Sequence, residues 1–375
     1  MHSSSGRYGA DRQLHLIAAG LDRERFEPIV MLPEPGELGP ELEAAGIEVL
    51  VRPVSVLRRQ LMTPRGVAEI GGTAMSDAKA LSKLIKQRRI ELVHSNTSVV
   101  LGGAAAARRA KVPHVWHVRE IYSRFGAFWP AYRRWLESAA ALPCVSEATA
   151  AQFESSNGAR SRRVRVIHDG LAVDAHRAPR ELARAVLELP PGAPVIALLG
   201  RISDWKGHDV LIQALAQPPL ADRGAIALIA GDAWPGAGSR RSLVLALAAG
   251  LGVSNRLRLV GFRDDIDNVY GAADVVAVPS TQPDPLPNAA LEAAAAGCAV
   301  VASAHGGLTE IIRDRVTGRL VPPGDPAALA QAVAELLDDS LARLRLGVAA
   351  ATDVRARFAP ERLLDAIQAL YDELI

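Results

Sequence analysis

The feature that most constrains this chain is an alternation, run through twice, of short apolar β-branched segments with longer helical stretches. In the first half the strand segments are 26–32, 47–51, 91–95, 114–118, 142–146 and 164–168, and helical patterns cover 65–89, 99–109 and 131–140. In the second half the strands fall at 195–199, 225–230, 257–260, 275–279, 299–302 and 318–321. Near-continuous apolar strands alternating with helices belong to parallel sheets covered on both faces. Two such sheets make an α/β protein of two doubly wound, Rossmann-like domains. A length of 375 residues agrees with two domains. Periodicity is weakest at Pro190-Pro191-Gly192-Ala193-Pro194, so the linker is expected between about 169 and 194, and after 327 only helices follow.

Composition narrows the class. Hydrophobic residues make up 49% and charged residues 22%, as in a globular chain with ample core. Aromatics are only 4%, so Ala, Gly, Leu and Val fill that core. A net charge of +2 argues neither for nor against a polyanionic partner, and no nucleic acid is expected as one. Cys144 and Cys298 are too few for a disulfide framework, which fits a reducing compartment. The N-terminus has no apolar signal region, and no window supplies the roughly twenty apolar residues of a membrane span. The expected location is therefore cytoplasmic. A doubly wound domain opens with a buried strand, yet Ser3-Ser4-Ser5-Gly6-Arg7-Tyr8-Gly9 already reads as the first Gly loop, with a helix from about Ala10. Either the start is placed too late or the first sheet lacks its central strand and exposes an apolar edge.

Four segments carry chemistry. Asp284-Pro285-Leu286-Pro287-Asn288 places a carboxylate in a Pro-rich loop, and Glu292 sits in the Ala-rich helix that follows. Two acids around one helix start, with its unpaired N–H groups, point to a sugar or nucleotide site; the alternative is a turn cap and a half-exposed helix residue. Arg201 and Lys206 follow the strand 195–199, at the carboxyl end where open α/β sheets bind ligands, and could neutralise a diphosphate. A solvated loop is the plainer account of that pair. His305-Gly306-Gly307 follows another strand, and its glycines would let backbone N–H groups approach a ligand, while Glu310 in the next helical turn reads as structural. His117, Arg119 and Glu120 crowd the carboxyl end of 114–118; His114, His117 and Glu120 make a poor zinc site, because that spacing on a strand splits the ligands between faces. No metal is expected. Arg52, Arg58, Arg59, Arg65, Lys79, Lys83, Lys86, Arg88 and Arg89 form a basic cluster, and 56–62 mixes apolar and cationic residues, a pattern that fits either an anionic membrane surface or a solvated helix face.

Together these segments resemble family 4 of the retaining glycosyltransferases, of GT-B architecture, over nearly the whole chain and most closely from 200 to 325. The family's two acids with seven residues between them look like Asp284 and Glu292, with Asp where Glu is usual; the first would lie by the donor sugar and the second on the nucleotide ribose. Arg201 and Lys206 are similar to the pair that holds the donor diphosphate. Leu286, Pro287, Asn288, His305, Gly306 and Gly307 match the donor loops, and 317–325 the segment after them. His117 resembles a histidine near the reacting carbon, Gly6 and Gly9 the first Gly loop facing donor phosphate and acceptor, and Ser146 and Glu147 a Ser-rich turn.

The resemblance implies an acceptor-side domain over 1–175 and a donor domain over 176–355, facing across a cleft, with a helix at 356–375 crossing back. It also implies metal-independent, retaining transfer of a sugar from a UDP- or GDP-linked donor to a sugar, glycan or lipid-linked acceptor, with no cofactor, in bacterial glycan, glycolipid or cell-envelope polysaccharide synthesis. Catalytic roles would fall to His117, Arg201, Lys206 and Asp284. A nucleotide-sugar epimerase, or a non-catalytic nucleotide-sugar-binding protein, is the alternative; the shorter Asp284 and the short N-terminus favour the latter.

Overall fold

The computed structural model describes residues 1–57, 64–123, 125–233 and 238–375, without the side chains of 64–71, 74, 75 and 238. It divides into two units, Met1–Ala172 with Phe358–Ile375, and Val173–Arg357.

The first unit holds β1 (Ile29–Leu32), β2 (Glu48–Val51), β3 (Val93–Ser95), β4 (His114–Trp116), β5 (Leu142–Cys144) and β6 (Val164–Val166). The parallel pairs are β1 with β2, β3 with β4 and β5 with β6. Bridges at Val115–Ala141 and Val118–Cys144 join β4 to β5. The place between β1 and β3 is taken by Met1 and His2. His2 N–H donates to Met31 O at 3.0 Å, the Met1 amine to His94 O at 2.7 Å, and Asn96 N–H to Met1 O at 2.9 Å. Met1 and His2 thus hydrogen-bond to β1 on one side and to β3 and the residue after it on the other. The first helix, Gly9–Gly20, packs on the C-terminal helix Pro360–Leu374, where Ile17 and Leu21 share a core with Leu363, Ile367 and Leu370.

The second unit is one fully parallel sheet of β7 (Val195–Leu199), β8 (Ile226–Ala230), β9 (Leu257–Gly261), β10 (Val275–Val278), β11 (Val300–Ser303) and β12 (Arg319–Val321), in the order β12-β11-β10-β7-β8-β9. β8, β10 and β11 are buried along their whole length. That explains their unbroken apolar sequences, since a two-sided strand has no face for polar residues. The order reverses between β7 and β10, whose carboxyl ends therefore diverge into the crevice where such sheets take ligands.

The linker expected near 169–194 contains a helix, Arg180–Val186. Buried Arg184 holds it to the second unit, donating to the carbonyls of Ala272, Pro190, Pro191 and Ala193 and pairing with Asp274. Of the basic, apolar segment 56–62, residues 58–62 lie outside the described residues, as does the side chain of Arg65. Among the described residues, no helix is long and apolar enough to cross a membrane.

Candidate active site

The carboxyl ends of β7 and β10 meet through glycine. At Gly207 the backbone has φ +74°, and a Cβ there would lie 1.9 Å from Pro279 O. Thr281 N–H donates to Trp205 O at 2.7 Å, which knits the loop after β7 to the loop after β10. This crossing brings together two residues 78 apart in sequence: Lys206 Nζ lies 2.5 Å from Asp284 Oδ2. Ser280 Oγ also donates to Asp284 Oδ2, at 3.4 Å. The Asp284 side chain is 9% exposed and that of Lys206 21%. An ammonium has three donors; the one partner of Lys206 among the described residues is Asp284, so the others can meet an anion. Arg201 is half-buried on the same loop. His208, one residue past the Gly207 turn, is held neutral by burial and by the charge of Lys206, its pKa lowered to about 4.

The Gly-rich turn after β11 does something other than the sequence suggests. A Cβ on Gly306 would lie 2.5 Å from Asp284 O, and one on Gly307 2.0 Å from Pro285 O. Gly307 N–H donates to Asp284 O at 2.8 Å. These glycines admit the Asp284 loop, and the Gly307 N–H is satisfied by it. His305 Nε2–H donates to Ser280 O at 2.8 Å, bracing the same loop from below. The turn therefore positions Asp284, with Leu286 and Pro287 buried behind it and Asn288 opening the next helix. Glu292, in the second turn of that helix, is 7% exposed, and Tyr270 donates its hydroxyl to Glu292 Oε2 at 3.2 Å. The half-exposed alternative for Glu292 does not hold, because Tyr270 supplies the polar partner that its small neighbours cannot.

In the first unit, Gly6 and Gly9 flank a loop organised by buried Asp11. That carboxylate accepts from His2 Nε2 at 2.8 Å, Ser4 Oγ at 2.5 Å and Tyr8 N–H at 2.9 Å. His117 is fully buried, stacks on His94 with ring centroids 5.4 Å apart, and has no partner at Nε2 among the described residues. Burial, then the charge of Arg119, keeps it neutral by holding its pKa well below 6.5. Sequence reasoning placed Arg119 and Glu120 beside it but missed their partners Asn96, Ser98 and Asp169. Arg119 reaches Asp169 and Asn96 in a buried network, and Ser98 binds Glu120. His114 bonds Ser95 Oγ instead of joining His117 and Glu120, and no described His, Cys, Asp and Glu cluster could hold a metal ion. Ser146 and Asp325 cap the helices that follow them, and Thr317 accepts from Arg313 N–H. Cys144 and Cys298 are buried free thiols, pushed up to about 12 and 11 by burial.

Comparison with known proteins shows the family. Residues 8–175 match the model of Glycosyltransferase Family 4, and residues 179–353 that of Glycosyl transferases group 1. The 2-deoxystreptamine glucosyltransferase of Streptomyces kanamyceticus is 33% identical over 72% of this chain and 76% of its own length. The D-inositol 3-phosphate glycosyltransferase of Mycolicibacterium smegmatis is 35% identical over 60% of this chain and 51% of its own. The chain thus spans about half the length of that relative and of similar ones from Salinispora. Anabaena HepE, solved with UDP and glucose, superposes with a TM-score of 0.83 at 26% identity, covering 100% of this chain and 98% of its own. WaaG, a lipopolysaccharide glycosyltransferase, shares the fold, with a TM-score of 0.72 at 19% identity and 98% of both chains covered. The chain belongs to the group 1, family 4 glycosyltransferases, and its fold is GT-B, built from two Rossmann-like domains.

Proposed function

We propose that this protein transfers a sugar from a UDP-linked donor to a hydroxyl of a cyclic polyol or sugar acceptor, retaining the anomeric configuration and using no metal. The observation that carries it is the Lys206–Asp284 pair at the switch point of the second sheet, an ammonium with spare donors beside a carboxylate with a spare oxygen. The donor class is supported by HepE, solved with UDP-glucose. The acceptor class is supported by the inositol phosphate and 2-deoxystreptamine named for the two relatives.

Charge develops on the leaving diphosphate as the glycosidic bond breaks. Lys206 and Arg201 neutralise it, and fixed cations need no reorganisation to do so. The Gly307 N–H takes no part, since it is bound to Asp284 O. Asp284 uses Oδ2 to hold Lys206 and offers Oδ1 to the sugar hydroxyls, orienting the donor rather than attacking it. The acceptor approaches the face the diphosphate leaves, and the phosphate takes the acceptor's proton. His117, neutral at physiological pH, serves as a hydrogen-bonding group and not as a charge.

The test is nuclear magnetic resonance of UDP-glucose turnover with a cyclitol acceptor. Retention predicts an α-linked product and no change of UDP-glucose without acceptor beyond slow hydrolysis. Conversion to another UDP-hexose in the absence of acceptor would show an epimerase instead. Glu292→Ala is expected to raise the donor KM roughly tenfold and leave kcat nearly intact, as for loss of a hydrogen bond to a charged group. An unchanged KM would remove Glu292 from the ribose.

A further inference from the structure

Six of the sixteen Phe, Trp and Tyr residues of this aromatic-poor chain fall within 122–135, immediately beyond the carboxyl end of β4. Five of the rings, Tyr122, Phe125, Trp129, Tyr132 and Trp135, form one cluster. Tyr122 stacks on Trp129 with centroids 5.2 Å apart, and meets Phe125 at 4.5 Å and Tyr132 at 5.4 Å. Phe128 is 47% exposed. Part of this is a small satellite core, since Tyr122, Trp129 and Tyr132 also pack on Trp116 and its neighbours. Packing does not account for the carboxylate beside it.

Glu120 Oε2 accepts from Ser98 N–H at 3.2 Å, from Arg119 N–H at 3.1 Å and from the Ser98 hydroxyl. Ser98 Oγ, its proton given to Glu120, accepts from the Tyr122 hydroxyl at 2.6 Å, and Tyr132 donates to Ser98 O at 2.5 Å. Everything that fixes the carboxylate converges on one oxygen. Oε1 has no partner among the described residues. A rigid carboxylate oxygen next to aromatic faces suits a ring polyol. The electron-rich ring face takes its C–H side, and the carboxylate takes a hydroxyl proton.

We propose that Glu120 and the rings of Tyr122, Phe128 and Trp129 form the acceptor subsite, in which Oε1 accepts from a ring hydroxyl while Phe128 or Trp129 packs on the ring's C–H face. The inference rests on the transferase reading, for which it supplies the acceptor's place. Glu120→Gln tests it cleanly. The amide oxygen can keep all three anchoring hydrogen bonds, while the amide NH2 turns the unpartnered acceptor into a donor. Phe128→Ala tests the ring contact at an exposed position, where folding depends little on the side chain.

The experiment is saturation-transfer NMR of the full chain with UDP present, using myo-inositol, 2-deoxystreptamine and methyl glucoside as probes, with UDP affinity measured in parallel by calorimetry. At least one probe is expected to bind, and both variants to weaken it about fivefold or more at unchanged UDP affinity. Equal binding by wild type and both variants, or UDP binding with none of the three rings bound, overturns the subsite. Absence of UDP binding by the wild type would instead bring down the donor reading, with the ring data still deciding the role of Glu120.

Discussion

Lys206→Ala is expected to lower turnover about 10²–10³-fold, the usual cost of removing one preorganised group that stabilises charge in a transition state. The substitution does two things at once, and they can be separated. It takes a cation from the leaving diphosphate, and it strands Asp284, whose side chain is only 9% exposed, without its ion-pair partner. A buried carboxylate left alone is destabilising, so Lys206→Ala should also lower the melting temperature. Adding Asp284→Asn removes the stranded charge. The double variant is therefore expected to recover most of the lost stability and little of the lost turnover. Recovery of both together would mean that Lys206 matters only as a partner for Asp284.

The second large effect is acid lability of the first unit. Half-buried His94 and buried His114 and His117 are neutral; desolvation is the main cause at each, holding His114 near 3 and the other two well below 6.5. In the unfolded chain they would titrate near 6.5. Lowering the pH thus adds protons to the unfolded state before the folded one. Stability from this source is fully present above pH 6.5 and is lost as the pH falls below it. Each such histidine costs about 1 kcal/mol between pH 6.5 and 5.5, roughly 3 kcal/mol for the three. The second unit contains one histidine of this kind, His208 at about 4, and should lose less. Urea melts at pH 7.5, 6.5 and 5.5, followed by exchange of amide protons in each unit, measure this. A first unit equally stable at pH 5.5 and 7.5 would show that these imidazoles accept protons without unfolding.

How much of this was legible beforehand depended on the range of the interaction. The strands could be read because buried parallel strands are local apolar runs. β7 matches its expected span, and the others differ by a few residues at their ends, where frayed pairing decides the limits. The helix Arg180–Val186 was not legible: Leu182 and Val186 are exposed, and buried Arg184 ties it to Asp274 and the carbonyl of Ala272, about 90 residues away. The glycines of the turn after β11 could be recognised as a close backbone approach. Whether a ligand or the protein's own loop approaches looks the same in sequence, and the loop at Asp284 proved to be the partner. Glu292 needed Tyr270, 22 residues earlier, to explain its burial. The Arg119–Asp169 pair spans 50 residues, and no local pattern records it.

The central claim is that the Lys206 loop holds the diphosphate of a UDP-linked donor. Calorimetric titration of the full chain with UDP, GDP and ADP, repeated on Lys206→Ala, tests it most directly. The account predicts saturable binding of one UDP per chain, preferred over GDP and ADP and weakened about tenfold or more by the substitution, as for loss of a charge-assisted hydrogen bond. No UDP binding by the wild type, or the same affinity in Lys206→Ala, would contradict it.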